Sequence, residues 1–342
     1  MDNLAWATVP TRRRHFLSPR FTELSPVSPS RPAGESPLVT GLVPFDRAVL
    51  SWNGVGSFRL EMRLLVARRP GAVGNDIRLT PYYPMGILQG AAQRSATKAE
   101  VARAVSGADP APVALDVDTL ALRNGAVAVG FQVRVTGTGS LSSLAVAHYR
   151  RDDRRFTDRH AEPSAWGTIL PVPERSQRDI EQAGLGGIVC SPTSMSMILD
   201  YHGSPRRTLD VARAVWDAQS NVYGNWPCNT GAVARLLPGN GWSAVVKMTG
   251  FDEMEREIAA RRPVALSHRW QKGDLPQAPI TQSGGHLIVV VGFTPSGDIV
   301  VNDPAAKAGE VRRVYRRRDL FRTWQERGEG IAYLVHPQAG VG

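Results

Sequence analysis

Cysteine and lysine are both scarce in this 342-residue chain, which has only Cys190 and Cys228 as thiols and only Lys98, Lys247, Lys272 and Lys307 as amines. Two cysteines exclude a disulfide framework, and no closely spaced Cys/His couples point to a zinc site, so each thiol has to be judged alone. With so few lysines the net charge of +10 rests on arginine and persists at any working pH. That balance suits either a partner with acidic groups, such as an anionic cell-envelope polymer, or a dispersed arginine-rich surface. The basic runs at 12–14 and 316–318 are too short to point to nucleic acid, and the dispersed surface is favoured.

Long apolar runs are missing as well. Stretches such as 287–291 are strand-sized, far short of the roughly 20 residues of a membrane-spanning helix. The N-terminus, MDNLAWATVPTRRRHFLSPRF, has basic residues with no apolar block behind them and does not read as a secretory leader. A cytoplasmic chain is therefore expected, or an extracytoplasmic one if a leader has been removed. There is no internal repeat and no Gly-rich loop closing on Gly-Lys-Ser/Thr, so nothing suggests a nucleotide-driven motor. What is present is ordinary globular composition, 42% hydrophobic and 21% charged, and enough length for two cores.

Residues 1–37 are rich in Pro, Ser and Arg without periodicity, and read as a disordered or loosely packed arm. Between 38 and 150 the pattern is mostly period two, as in SFRLEMRLLVARR and GAVAVGFQVRVTGTG, which predicts an all-β sandwich of antiparallel strands. A short helix or loop is expected to interrupt it at about 91–105. Residues 151–170 mix charge with Pro and Gly and read as a linker. From 171 to 342 the pattern becomes α+β. SPTSMSMILDYHG, TLDVARAVWDA and FDEMEREIAARR read as helices, and PVALSHRW, GHLIVVVGFT, DIVVNDP and EVRRVYRR as strands. A chain starting at about 167 is expected to fold by itself.

Cys190 follows the turn GLGG and heads the first of those helices, where unpaired backbone N–H groups and the helix dipole stabilise a thiolate. The same placement also suits a small buried hydrophobe. His286 opens a strongly apolar strand next to two glycines, a place where an imidazole has no packing reason to be, although a histidine with a satisfied hydrogen bond is the plainer alternative. Asp303, at the end of the following strand, lies within reach of His286 if the two strands form a hairpin. Asn302 is its competitor, since an amide also holds an imidazole, and a turn aspartate before Pro304 is the structural alternative. Cys228 reads as a packing residue in a loop with Trp226 and Pro227, His202 and His268 as structural. Trp52, Trp226 and Trp270 read as core residues in preference to the lining of a carbohydrate or peptide groove.

The order Cys, His, Asp/Asn, with the cysteine at a helix head and the others on later strands, is that of papain-like enzymes. GGIVCSPTSMSMILDYHG, GNWPCNTG, GGHLIVVVGFTPSGDIVVNDPAA and VRRVYRRRDLFRTW, in that order, resemble the standalone bacterial relatives of the bacteriocin-leader (double-glycine) peptidases over about 171–337. The resemblance implies a papain-like cysteine peptidase domain with Cys190, His286 and Asp303 as its triad and Gln177 as the side-chain donor of the oxyanion hole, with Gln182 as fallback. It implies a peptide or amide substrate and no cofactor or metal. One departure stands out: Ser191 follows the cysteine where the family more often has Gly, which narrows the room beside the nucleophile. FDRAVLSWNG and VDTLALRNG resemble the β-sandwich that such relatives carry. Two other functions fit the same residues: a catalytically weak papain-like scaffold serving as an envelope-polymer binding or adhesion protein, and an acyltransferase in which an amine replaces water.

Overall fold

The computed structural model describes residues 6–8, 21–26, 34–67, 77–106, 113–151, 163–180, 184–239 and 241–337. They sort into two units. One holds the described residues up to Arg151 together with Trp216–Cys228, and the other holds 163–215 and 229–337.

The first unit contains, in chain order, β1 (Trp6–Thr8), β2 (Phe21–Pro26), β3 (Gly34–Glu35), β4 (Arg47–Ala67), β5 (Ile77–Leu79), β6 (Tyr83–Gly90), β7 (Ala92–Arg94), the helix α1 (Lys98–Val105), β8 (Val113–Asp116), β9 (Thr119–Leu122) and β10 (Val127–Tyr149). All the strands pair antiparallel in one connected sheet whose main path runs β1-β2-β10-β4-β6-β7. β4 and β10 pair along their whole lengths, from Ala67 opposite Val127 to Arg47 opposite Tyr149. Alternation puts Trp52, Phe58, Leu60, Phe131 and Val133 into one core. Where the two long strands draw close, a Cβ on Gly137 would lie 1.9 Å from the Ser57 carbonyl, at a φ of +127°, so only glycine fits.

Two expectations about this region need correction. The arm at 1–37 contributes β1, β2 and β3, and β2 pairs with β10 and buries Leu24. Its composition hides this because a strand edge held by a long partner needs little apolar pattern of its own. The second correction concerns Trp216–Cys228. Buried Asp217 accepts from the Ser95 N–H (3.0 Å) and from Asn225 Nδ2 (2.8 Å). Asp118 accepts from the Trp226 N–H at 3.0 Å, and Gln93 donates to the Cys228 carbonyl. Cys228 is fully buried in the same core as Trp52. The stretch 171–342 is therefore interrupted by a segment that completes the sheet unit.

The second unit is built from α2 (Cys190–Tyr201), α3 (Thr208–Val215), α4 (Trp226–Leu236, whose first turn lies in the first unit), β11 (Trp242–Lys247), α5 (Phe251–Ala259), β12 (Val264–Trp270), β13 (Ser283–Phe293), β14 (Ile299–Asn302), β15 (Arg312–Tyr315), α6 (Arg317–Phe321) and β16 (Ile331–His336). Its sheet is wholly antiparallel, in the order β11-β16-β12-β13-β14-β15. The segment read as a loop around Cys228 is the start of α4, because Pro227 falls in the first helical turn, where its missing N–H is not needed. The linker reading of 151–170 also fails from Pro163 on. Leu170 N–H donates to the Val291 carbonyl at 2.7 Å and Trp166 Nε1 to buried Glu255 at 2.9 Å, so this segment is an edge of the second unit. A Cβ on Gly292 would lie 2.1 Å from the Thr168 carbonyl, which explains the glycine inside an otherwise branched apolar strand. Among the described residues no helix is long and apolar enough to cross a membrane.

Candidate active site

β13 begins exposed at Gly284 and Gly285 and becomes buried at His286, after which every residue to Phe293 is buried. The helix α2 lies against that strand, fixed by the Ser194 hydroxyl, which donates to the Leu287 carbonyl at 3.1 Å. Cys190 is the first helical residue, after an N-cap at Val189 that supplies no side chain. No side chain caps the helix, and in its first turn Pro192 has no N–H while the Thr193 N–H donates to the Val189 carbonyl at 3.0 Å. Cys190 is partly exposed and Cys228 buried, and both are free thiols.

The hairpin of β13 and β14 sets Val289 opposite Asn302. His286 Nε2 meets Asp303 Oδ1 at 2.8 Å, with both side chains buried. The imidazole also hydrogen-bonds Cys190, and with Nε2 committed to Asp303 this contact falls to Nδ1. The backbone N–H of Leu287 is a further donor to the sulfur. Asn302 faces the opposite way: its amide donates to the Val172 and Pro173 carbonyls, each at 3.2 Å, and accepts from Arg312 Nε at 3.1 Å.

Burial works against every charge here, and the partners outweigh it. It opposes the imidazolium of His286, yet the charge and hydrogen bond of Asp303, followed by those of Cys190, push the imidazole up to about 10. For Cys190, burial raises the thiol and the facing His286 brings it below its ordinary value. Asp303 is held at about 2: burial resists ionisation, and His286, the Tyr315 hydroxyl and the Ala305 N–H overcome it. The arrangement favours a thiolate and an imidazolium side by side, a nucleophile with a proton donor next to it.

Gln177 opens a single 3-10 turn. Its side chain donates to the Gly186 carbonyl at 2.8 Å and its backbone N–H to the Pro304 carbonyl at 2.8 Å, which joins the glycine turn before Cys190 to the turn after Asp303. Gln182 lies outside the described residues. Ser191 is buried, and its hydroxyl donates to Asn229 Oδ1 at 2.7 Å, so the side chain turns into the helix packing and not toward the thiol face. His268 sits opposite His286 on β12 and stacks on Trp270 at 4.7 Å. Burial lowers its affinity for a proton to about 3, which keeps it neutral. Trp270 meets the His286 ring edge-on at 5.7 Å, so this tryptophan borders the site. His202 is likewise held neutral, at about 4, by burial and then by the charges of His336 and Arg262. Trp52 lies in the core of the first unit.

One neighbour escaped the sequence reading: Tyr315, whose hydroxyl donates to Asp303 Oδ2 at 2.5 Å. The available signal was an aromatic closing an arginine-rich strand, where it is the one buried side chain of four.

Residues 169–331 match the model of the Peptidase_C39 like family. This segment is similar to that peptidase family. The C39-like segment contains Cys190, His286, Asp303, Gln177 and Tyr315, and spans the strands of the second sheet from β11 to β15 and the first residue of β16. Among solved structures, one match is a double glycine motif protease from an AMS/PCAT transporter in complex with the leader peptide, at 14% identity and a TM-score of 0.27, covering 50% of this chain and 94% of that one. No curated protein matches the chain.

Proposed function

We propose that the second unit is a papain-like cysteine hydrolase that cleaves a peptide or amide bond through a thioester. Cys190 is the nucleophile, His286 the proton shuttle and Asp303 the group that orients it. The observation that carries this reading is the unbroken line of contacts from Cys190 through His286 to Asp303 at the head of α2. The thiolate attacks the carbonyl carbon, and the His286 imidazolium gives its proton to the departing amine. Water, relieved of a proton by the now neutral His286, then opens the thioester, and thiolate and imidazolium are restored. The oxygen of each tetrahedral intermediate faces the Cys190 backbone N–H and Gln177 Nε2. One of the two amide hydrogens of Gln177 is held by Gly186, and the other is left for the oxyanion, a contribution of about 3 kcal/mol. The first unit is read as a two-layer β-sandwich in which β4 and β10 pass from one layer to the other, pairing with different strands along their lengths.

Digestion of an unbiased peptide library by the full chain tests the reading. Cleavage is expected from the wild type and not from Cys190→Ala or His286→Ala, and the new ends are expected to be free carboxylates. Equal cleavage by Cys190→Ala contradicts the nucleophile assignment, products ending mainly as amides of an added amine point to acyl transfer, and no Cys190-dependent product points to a binding scaffold.

A further inference from the structure

Asp303 has no exposed surface, so water does not satisfy its oxygens. Oδ1 takes two donors, His286 Nε2 at 2.8 Å and the Ala305 N–H at 2.9 Å. Oδ2 takes the Tyr315 hydroxyl, its one donor among the described residues. The phenol comes from β15, where Tyr315 lies opposite Ile299 of β14, and its ring is fully buried. We propose that Tyr315 is a positioning residue for the Cys190 and His286 pair, acting through Asp303: by occupying Oδ2 it keeps the ionised carboxylate turned with Oδ1 on His286. The inference rests on the role given to Asp303 above.

The physical argument is one of satisfaction. A buried carboxylate oxygen without a partner is costly, and the cost is relieved if the carboxylate rotates toward another donor or takes up a proton. Either change removes negative charge from the Nε2 side of His286, and the thiolate of Cys190 then loses its counter-charge. The phenol stays a donor at working pH, since burial and the facing Asp303 charge push its own ionisation above the ordinary value. The other titratable groups around the carboxylate do not replace it. His286 on β13 is bound to Oδ1, Cys190 at the head of α2 lies beyond the imidazole, and His268 on β12 is neutral and bonded to Thr323. Arg313, on β15 itself, donates to the Gln277 and Glu310 carbonyls.

The test is Tyr315→Phe in the full chain, which keeps the ring that fills the site and removes only the hydroxyl. The readout is the rate of Cys190 alkylation by iodoacetamide against pH, with the modified residue located by mass spectrometry. The lower limb of the profile is expected to move up by about one unit, as for the loss of one hydrogen bond to a charged group, so that at pH values on that limb the rate falls by up to about tenfold. At alkaline pH, where any thiol is ionised, the two proteins should react equally, an outcome that a general loosening of the fold would not give. Asp303→Asn and His286→Ala run alongside. If both shift the profile and Tyr315→Phe does not, the tyrosine proposal is overturned and the proposed triad stands. If none of the three shifts it, both are overturned.

Discussion

His286 has to hold a proton in a buried place, and it does so only because Asp303 and Cys190 both reward the charge. This has a consequence for stability. The ordinary values are 6.5 for histidine and 9.0 for cysteine, so near neutral pH the unfolded chain carries neutral imidazole and thiol, and the folded chain carries imidazolium and thiolate. Both states bind the same number of protons, and the pair should give little slope of stability with pH. Cys190→Ala removes that balance. Its folded His286 still gains from Asp303, so the raised proton affinity contributes fully below the unfolded value of 6.5 and is lost as pH rises through the folded value. Thermal unfolding is expected to stay level for the wild type and to fall for Cys190→Ala as pH rises above neutral; parallel curves would mean that no thiolate is present. Asp303 and Asn302 should separate in the same way. Asp303→Ala is expected to lower turnover by about tenfold or more. Asn302→Ala should instead cost about 1–3 kcal/mol of stability, because it leaves the Val172 and Pro173 carbonyls and Arg312 without their amide partner. Turnover per folded molecule, set beside denaturant midpoints, distinguishes the two.

At the scale of elements, β13 carries the site at one end and is locked at the other. Gly292→Ala is expected to destabilise the chain by about 1–3 kcal/mol, since the new methyl meets the Thr168 carbonyl and the 163–170 edge must shift. His286 lies at the opposite end of the strand, so turnover of the folded fraction should hold; unchanged denaturant midpoints would show that the edge moves freely. The strand itself was legible in the sequence from its run of branched residues, and so was α2 from the stripe of Met195, Ile198 and Leu199. The hairpin argument also led to Asp303, because turn and strand patterns are local. Tyr315 was not legible, since its contact with Asp303 crosses from β15 and no local pattern announces it. The edge at 163–170 and the strands of the N-terminal arm were missed for a related reason. Their hydrogen bonds go to distant strands, and Pro, Gly and Ser in them read as breakers. Likewise Trp226-Pro227-Cys228 read as a loop although proline is tolerated in the first turn of a helix.

For the whole molecule, the chain leaves the second unit at Trp216 and returns to it after Cys228. A chain shortened to begin at 163 would keep that segment without Gln93, Ser95 and Asp118, which hold it in the full protein. Buried Asp217 and Cys228 would then lose their surroundings, so limited proteolysis is expected to cut the shortened chain within 216–228 and to spare the full one. Equal resistance would show that the peptidase half is self-sufficient, as the change of periodicity near 167 suggested. The central claim is that Cys190 is kept as a thiolate by His286, and the alkylation rate of Cys190 against pH, in the wild type and in His286→Ala, tests it most directly. A reactive plateau extending to mildly acidic pH in the wild type, replaced in His286→Ala by a rise at or above the ordinary thiol value of 9.0, is the predicted result. A wild-type profile that already follows the ordinary thiol, unchanged by His286→Ala, would contradict it.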